Sequence, residues 1–254
     1  MSNSPWGPPA GAGFPNNVFS DKERVGFGLG FIVIAWIGAY FASTVLTVVV
    51  ATIFGADNIS GDAAPTWGFA LAAVAMWLPS VAMLTIVAKR GASKHFAQEF
   101  SLSFKVGDLA GIPIGVASQI FLVGLVTWPF QQMFPDAFAN SKLDERATNL
   151  VDNAAGAWII LLAVVVAVGA PMVEELVFRG FIQGSLQKRF RHGTALLVTA
   201  AWFTLVHINP IEFPGLFAFA LVLGWCFKKT QRLGLSIWAH LAFNATALVL
   251  VSIR

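Results

Sequence analysis

The chain has 254 residues, 57% hydrophobic and 11% charged, with a formal net charge of +3 and a mean hydropathy of +0.72. Soluble domains carry roughly 25% charged residues, so the composition excludes a soluble core with a polar shell and leaves one polytopic membrane domain. The small charge, spread over short loops, gives no footprint for nucleic acid, and a single cysteine, Cys226, excludes an internal disulfide or a Cys-based metal cluster.

In chain order, residues 1–24 begin "MSNSPWGPPAGAGFPNN" and read as a disordered cytoplasmic tail with little to bury. No cleavable signal peptide is expected, because the first apolar run, residues 25–54, is far longer than a signal h-region. A membrane-spanning helix needs about 20 apolar residues. Residues 25–54, 66–88, 109–130, 154–173 and 233–253 meet that length, and the fourth run continues through charged residues to Leu186. Residues 195–206 and 213–227 are shorter; "HINPIEFP" between them makes two short spans or a partly re-entrant pair. The expected fold is an all-α polytopic transmembrane helix bundle of about seven spans, or about eight if the short segments or the first long run split.

Loop charges orient the bundle. With the N-terminus inside, the basic residues at 22–24, 89–94, 105, 188–191 and 228–232 share one side, leaving Lys142, Arg146 and Arg254 opposite. Asp57, Asp62, Asp136, Asp144, Glu145 and Asp152 lie on that opposite side. Lys and Arg concentrate in cytoplasmic loops, so the basic side and the N-terminus are expected to be cytoplasmic, in a multi-pass protein of the cell (plasma) membrane.

Inside the apolar runs, residues 171–181, "PMVEELVFRGF", carry two glutamates and an arginine. Positions i and i+4 share a helix face, so Glu175 and Arg179 can neutralise each other. Glu174 points about 100° away and has no partner on its own helix. His207 follows Phe203 by four residues, and Asn244 follows His240 by four. If these faces turn inward, His207 is the expected partner of Glu174, and the bundle interior gathers a free carboxylate, two imidazoles and a carboxamide. Intramembrane ionisable groups are rare and mostly functional. At 1.5 Å per residue, His240 lies ~12 Å from Arg232 while Glu174 lies ~20 Å from Lys188. That mismatch predicts a helix broken near Pro171 and a site opening toward the basic face.

The three patterns EExxxR (Glu174, Glu175, Arg179), FxxxH (Phe203, His207) and HxxxN (His240, Asn244) occur in that order, each in an apolar segment. Together they resemble the CAAX-protease and bacteriocin-processing family (CPBP, or Abi) of intramembrane endopeptidases, over residues 154–250. The resemblance implies a catalytic transmembrane region at 154–254 following N-terminal transmembrane helices at 25–153. It implies Glu174 as general base, His207 as its partner in activating a water, and His240 with Asn244 steadying the oxyanion. Glu175, Arg179 and Phe203 would support the site. Two versions stay open: one divalent metal such as zinc held by Glu174, His207 and His240, or no metal and a glutamate-activated water. The implied partners are the lipid bilayer and a membrane protein or lipidated peptide as substrate. Two other classes remain: a proton-coupled transporter with Glu174 and His207 as relay, disfavoured by the absence of an internal repeat, and a catalytically silent membrane scaffold or immunity factor.

Overall fold

The computed structural model describes residues 27–59, 64–91, 93 and 95–253, so the expected N-terminal tail lies outside the described residues. Among these the chain is helical, without strands. We number the helices α1 (Leu29–Phe54), α2 (Thr66–Arg90), α3 (Val106–Met133), α4 (Asn140–Asp152), α5 (Trp158–Gln187), α6 (His192–Leu205), α7 (Phe213–Thr230) and α8 (Gly234–Ser252). Five of them, α1, α2, α3, α5 and α8, are long and apolar enough to cross a membrane. The chain is an all-α, integral, multi-pass membrane protein. Helices α6, of 14 residues, and α7, of 18, form a packed pair joined through the predicted break. At 14 residues α6 is ~21 Å long, short of the ~30 Å hydrocarbon core.

The apolar residues sort as lipid requires. Ile34, Phe41 and Ile53 of α1 are 72%, 69% and 69% exposed, which would be an aggregation liability in water but is the ordinary state of a surface solvated by acyl chains. Polar hydroxyls on the helices bond inward along their own backbone, as Thr47 does to the Ser43 carbonyl (2.9 Å), because lipid offers no partner. Where helices meet closely, the contact residues are small. Gly111 and Gly115 of α3, one turn apart, lie so near α8 that a Cβ on either would overlap the carbonyl of Leu235 or Ala239. This is the small-xxx-small packing that substitutes for a hydrophobic driving force in membranes.

Contacts at the two ends identify two poles. At one, the Arg189 Nε–H donates to the Phe27 carbonyl (3.0 Å), the Leu233 N–H to the Ser101 carbonyl (3.0 Å), and Arg232 pairs with Asp108 at 2.7 Å. Asp108 also accepts from the Lys105 N–H (2.7 Å). This is the basic pole. At the other, the Thr66 hydroxyl donates to the Asn153 carbonyl (3.2 Å), and the α4 segment packs against α8. This acidic pole carries Asp57, Asp136 and Asp152.

Helix α5 corrects the expectation of a break near Pro171: it runs without interruption from Trp158 to Gln187. Proline in a regular α-helix clashes with the carbonyl four residues back. Here that carbonyl belongs to Ala167, inside a π-helical stretch, Val164–Gly169, whose wider i→i+5 turns make room for the ring. A second π-helical stretch, Glu175–Gln183, follows. Wider turns advance less per residue than regular α-helical ones.

Candidate active site

Glu174 and Glu175 are neighbours with opposite fates. Glu175 and Arg179 are both fully buried, and Arg179 Nη1 donates to Glu175 Oε1 at 2.8 Å, as the i, i+4 spacing requires. The same oxygen accepts a hydrogen bond from His240 Nδ1 at 2.9 Å across to α8. His240 Nε2 stands 3.6 Å from Glu174 Oε2. The Glu174 side chain is 27% exposed, and it lines a cavity. One carboxylate is thus locked in a structural triad, and its neighbour is presented to an open volume.

His240 therefore sits between the two acids. A carboxylate oxygen accepts only, so Nδ1 carries the proton it donates to Glu175. In the imidazolium form Nε2 also donates, toward Glu174, and the charges of Glu174, Glu175, Arg179 and His240 sum to zero. Arg179 is held further by Phe203, whose ring centroid is 4.6 Å from Cζ, and by the Ala220 carbonyl at 3.4 Å. A cation over an aromatic face is stabilised by the ring quadrupole, so the Phe of FxxxH supports the Arg of EExxxR.

His207 differs from expectation. Its Nδ1–H donates to the carbonyl of Phe203 in its own helix (2.7 Å), and the imidazole that reaches Glu174 is His240. The last carbonyls of a helix lack intrahelical partners, and His207 stands just past the end of α6, where it satisfies one. With Nδ1 engaged, Nε2 is the nitrogen left for chemistry. His207 lines the same cavity as Glu174, His240 and Asn244.

Asn244 Nδ2 donates to the Val166 carbonyl at 2.8 Å. Val166 belongs to the first π-helical stretch of α5, and a π-turn leaves backbone groups out of the i→i+4 ladder. The amide keeps a second N–H for another acceptor.

The cavity measures about 590 Å³. From Glu174 it runs between α1 and α2 past Tyr40 and Trp77, and its lining ends at Arg146 of α4 and at Glu212, just before α7. The lining residues place the cavity in the half of the bundle toward the acidic pole.

Several participants were missed from sequence. Gln183, fully buried, donates to the Gly224 carbonyl (2.9 Å) and extends the Glu175–Arg179 stripe by one turn. Its i+4 position was the available signal. Arg146 and Glu212 lie outside the apolar runs and carried no signal; Glu212 accepts from Asn209 Nδ2 at 2.9 Å. Among the described residues no three His, Cys, Asp or Glu side chains are placed to hold a metal ion together. The set Glu174, His207 and His240 therefore does not fit a metal as the side chains lie, and no step below is routed through one.

Residues 156–246 match the family model described as type II CAAX prenyl endopeptidase, Rce1-like. Over this stretch the chain is similar to the CPBP family. The matched segment holds Glu174, His207, His240 and Asn244, the four groups gathered at the cavity. The chain is also similar to a curated protein of Bacillus subtilis (strain 168) named "Putative membrane peptidase YdiL", 26% identical over 90 residues. That alignment covers 35% of this chain and 37% of the relative, so it spans well under half of either protein. No solved structure matches the chain. The matched stretch covers the C-terminal helices, while α1, α2 and α4 supply the remaining cavity walls.

Proposed function

We propose that the chain is an intramembrane endopeptidase that hydrolyses a peptide bond of a membrane-associated polypeptide with a water activated by Glu174. The observation that carries this reading is the 3.6 Å approach of His240 to an unlocked Glu174 carboxylate at a cavity wall. Glu174 takes one proton of the water while the water oxygen attacks the carbonyl carbon, and His207 Nε2 accepts the water's other O–H. The carbonyl oxygen becomes an oxyanion that receives the free Asn244 N–H and, in the imidazolium form, His240 Nε2–H. Oriented donors at a developing oxyanion are a large catalytic contribution in a water-poor site. The tetrahedral carbon then expels the amine, which takes the proton held by Glu174, and the carboxylate is restored. Glu175 and Arg179 hold His240 in place and touch no reacting atom.

The apolar walls at Trp36, Phe69, Met76 and Trp77 give a lipid-modified or apolar segment a surface to lie against, in keeping with the prenyl endopeptidase family model. The test is hydrolysis of lipidated and unlipidated membrane peptides by purified protein in detergent or bilayers. Wild type is expected to cleave and Glu174→Gln to be inactive while remaining folded; undiminished cleavage by Glu174→Gln overturns the mechanism.

A further inference from the structure

We propose that a buried water binds at the junction of α5, α6 and α7, held by Arg179 Nε, Gln183 Oε1 and Thr199 Oγ1, and that through Arg179 it fixes the position of His240. The water site stands on its own observations; its effect on turnover rests on the peptidase reading.

The first observation is a set of three polar atoms with complementary needs. Arg179 and Gln183 are fully buried and Thr199 is 1% exposed. Yet Arg179 Nε, Gln183 Oε1 and Thr199 Oγ1 have no hydrogen-bond partner among the described residues. Buried polar atoms are almost always paired, with protein or with ordered water. The remaining polar atoms of the two α5 side chains are engaged: Arg179 Nη1 and Nη2 donate to Glu175 Oε1 and the Ala220 carbonyl, and Gln183 Nε2 donates to the Gly224 carbonyl. That last bond fixes the amide orientation, because a carbonyl needs a donor, and leaves Oε1 as the free end. On α6 the Thr204 hydroxyl bonds back to the Ala200 carbonyl at 2.9 Å. The Thr199 hydroxyl makes no such bond.

The second is register. Helices α5 and α7 run side by side, Arg179 opposite Ala220 and Gln183 opposite Gly224 one turn on. Helix α6 runs the other way. Its Phe203 covers Arg179, with the ring centroid 4.6 Å from Cζ, while its Leu196 meets the Gln183 amide beside Gly224. There Gln183 Oε1 and Leu196 Cγ lie 3.0 and 3.2 Å from the place that a Cβ on Gly224 would take. Thr199 comes three residues after Leu196 and four before Phe203, on the same helix face. Its hydroxyl thus stands between the levels of Arg179 and Gln183.

The third is the chemistry of the set. One small ligand must accept from a guanidinium N–H, donate to an amide oxygen and suit a hydroxyl, which can do either. A cation is repelled by Arg179, and an anion has no proton to give Gln183 Oε1. Water meets all three, within the roughly two to four partners that a buried water takes. Arg179 touches no reacting atom, but it grips the Glu175 oxygen that accepts from His240 Nδ1. A water on Nε sets the guanidinium plane and with it the seat of His240, which makes Gln183 and Thr199 positioning residues.

The test is a density map of the full chain, at a resolution that shows ordered waters elsewhere in the bundle, together with the kinetics of two variants. A solvent peak within about 3.2 Å of all three atoms is expected. Direct bonds among the three side chains, or a map with no peak between them, overturn the site. Thr199→Val keeps the shape and removes the hydroxyl. It is expected to lose the peak and to lower kcat by about 10-fold or more with KM unchanged, since misplacing a catalytic group by about 1 Å can cost roughly 10²-fold. Thr199→Ser is expected to keep both the peak and the wild-type kcat. Unchanged kcat in Thr199→Val, or an equal loss in Thr199→Ser, overturns the positioning role. The map needs no catalysis, so a wild type that cleaves nothing sinks the peptidase reading and leaves the water site decided.

Discussion

Glu175 and His240 are joined by a 2.9 Å hydrogen bond between α5 and α8, and that bond settles which of two adjacent glutamates is free. Because Glu175 Oε1 is shared by Arg179 and His240, that carboxylate is held in place, while Glu174, 3.6 Å from the other nitrogen of His240, stands at the cavity.

Glu175→Gln and Glu174→Gln are therefore expected to fail differently. Removing one member of a buried, paired charge set costs about 3–5 kcal/mol, since the remaining charge stays in place without compensation. Thermal unfolding of Glu175→Gln in detergent should show such a loss. Glu174→Gln should unfold near the wild-type temperature and lose turnover by roughly 10²–10⁴-fold, the usual share of a positioned general base.

Asn244→Ala should lower kcat by about 10²–10³-fold with little change in KM, as expected for a donor engaged in the transition state. A loss confined to KM would show that Asn244 serves only to tie α8 to the Val166 carbonyl.

The α3–α8 contact gives a structural control. Gly115→Val has no room beside the Ala239 carbonyl, the residue before His240, so both stability and turnover should fall. Gly124→Ala, on the same helix with nothing within 4 Å of the added methyl, should be neutral or stabilising by about 0.5–1 kcal/mol from helix propensity. Unfolding temperatures of the two variants, measured side by side, check the contrast.

Cys226, with no exposed surface, should resist alkylation in the folded protein and react fully on denaturation. Its reactivity then reports global unfolding in membranes, where scattering hampers optical probes; rapid modification of the native protein would contradict the packing of α7.

Much of this architecture was legible because lipid enforces simple rules. Span lengths, the sorting of loop charge and the i, i+4 pairing of Glu175 with Arg179 all follow from period and desolvation. The partners of His240 and His207 were not legible. Which imidazole reaches Glu174 depends on how α5, α6 and α8 are rotated against one another, and one sequence carries no record of that. His207 was claimed by the bare end of its own helix, a local demand that a face-matching argument overlooks. The unbroken course of α5 past Pro171 was hidden for a related reason: proline signals a fault in a regular α-helix, and nothing in the residues announces wider turns. Arg146 and Glu212 escaped because they sit outside the hydrophobic runs where polar residues stand out.

The wider turns of α5 tie the chemistry to residue count as well as residue type. Each residue of an α-helix rotates the chain by about 100°, so deleting one valine from Val164–Gly169 would swing Glu174 off the azimuth at which His240 meets it. Every side chain named in the site would survive in such a deletant, yet the acid would confront a different neighbour. Single-residue indels in this short span should therefore be far less tolerated than conservative substitutions at the same positions.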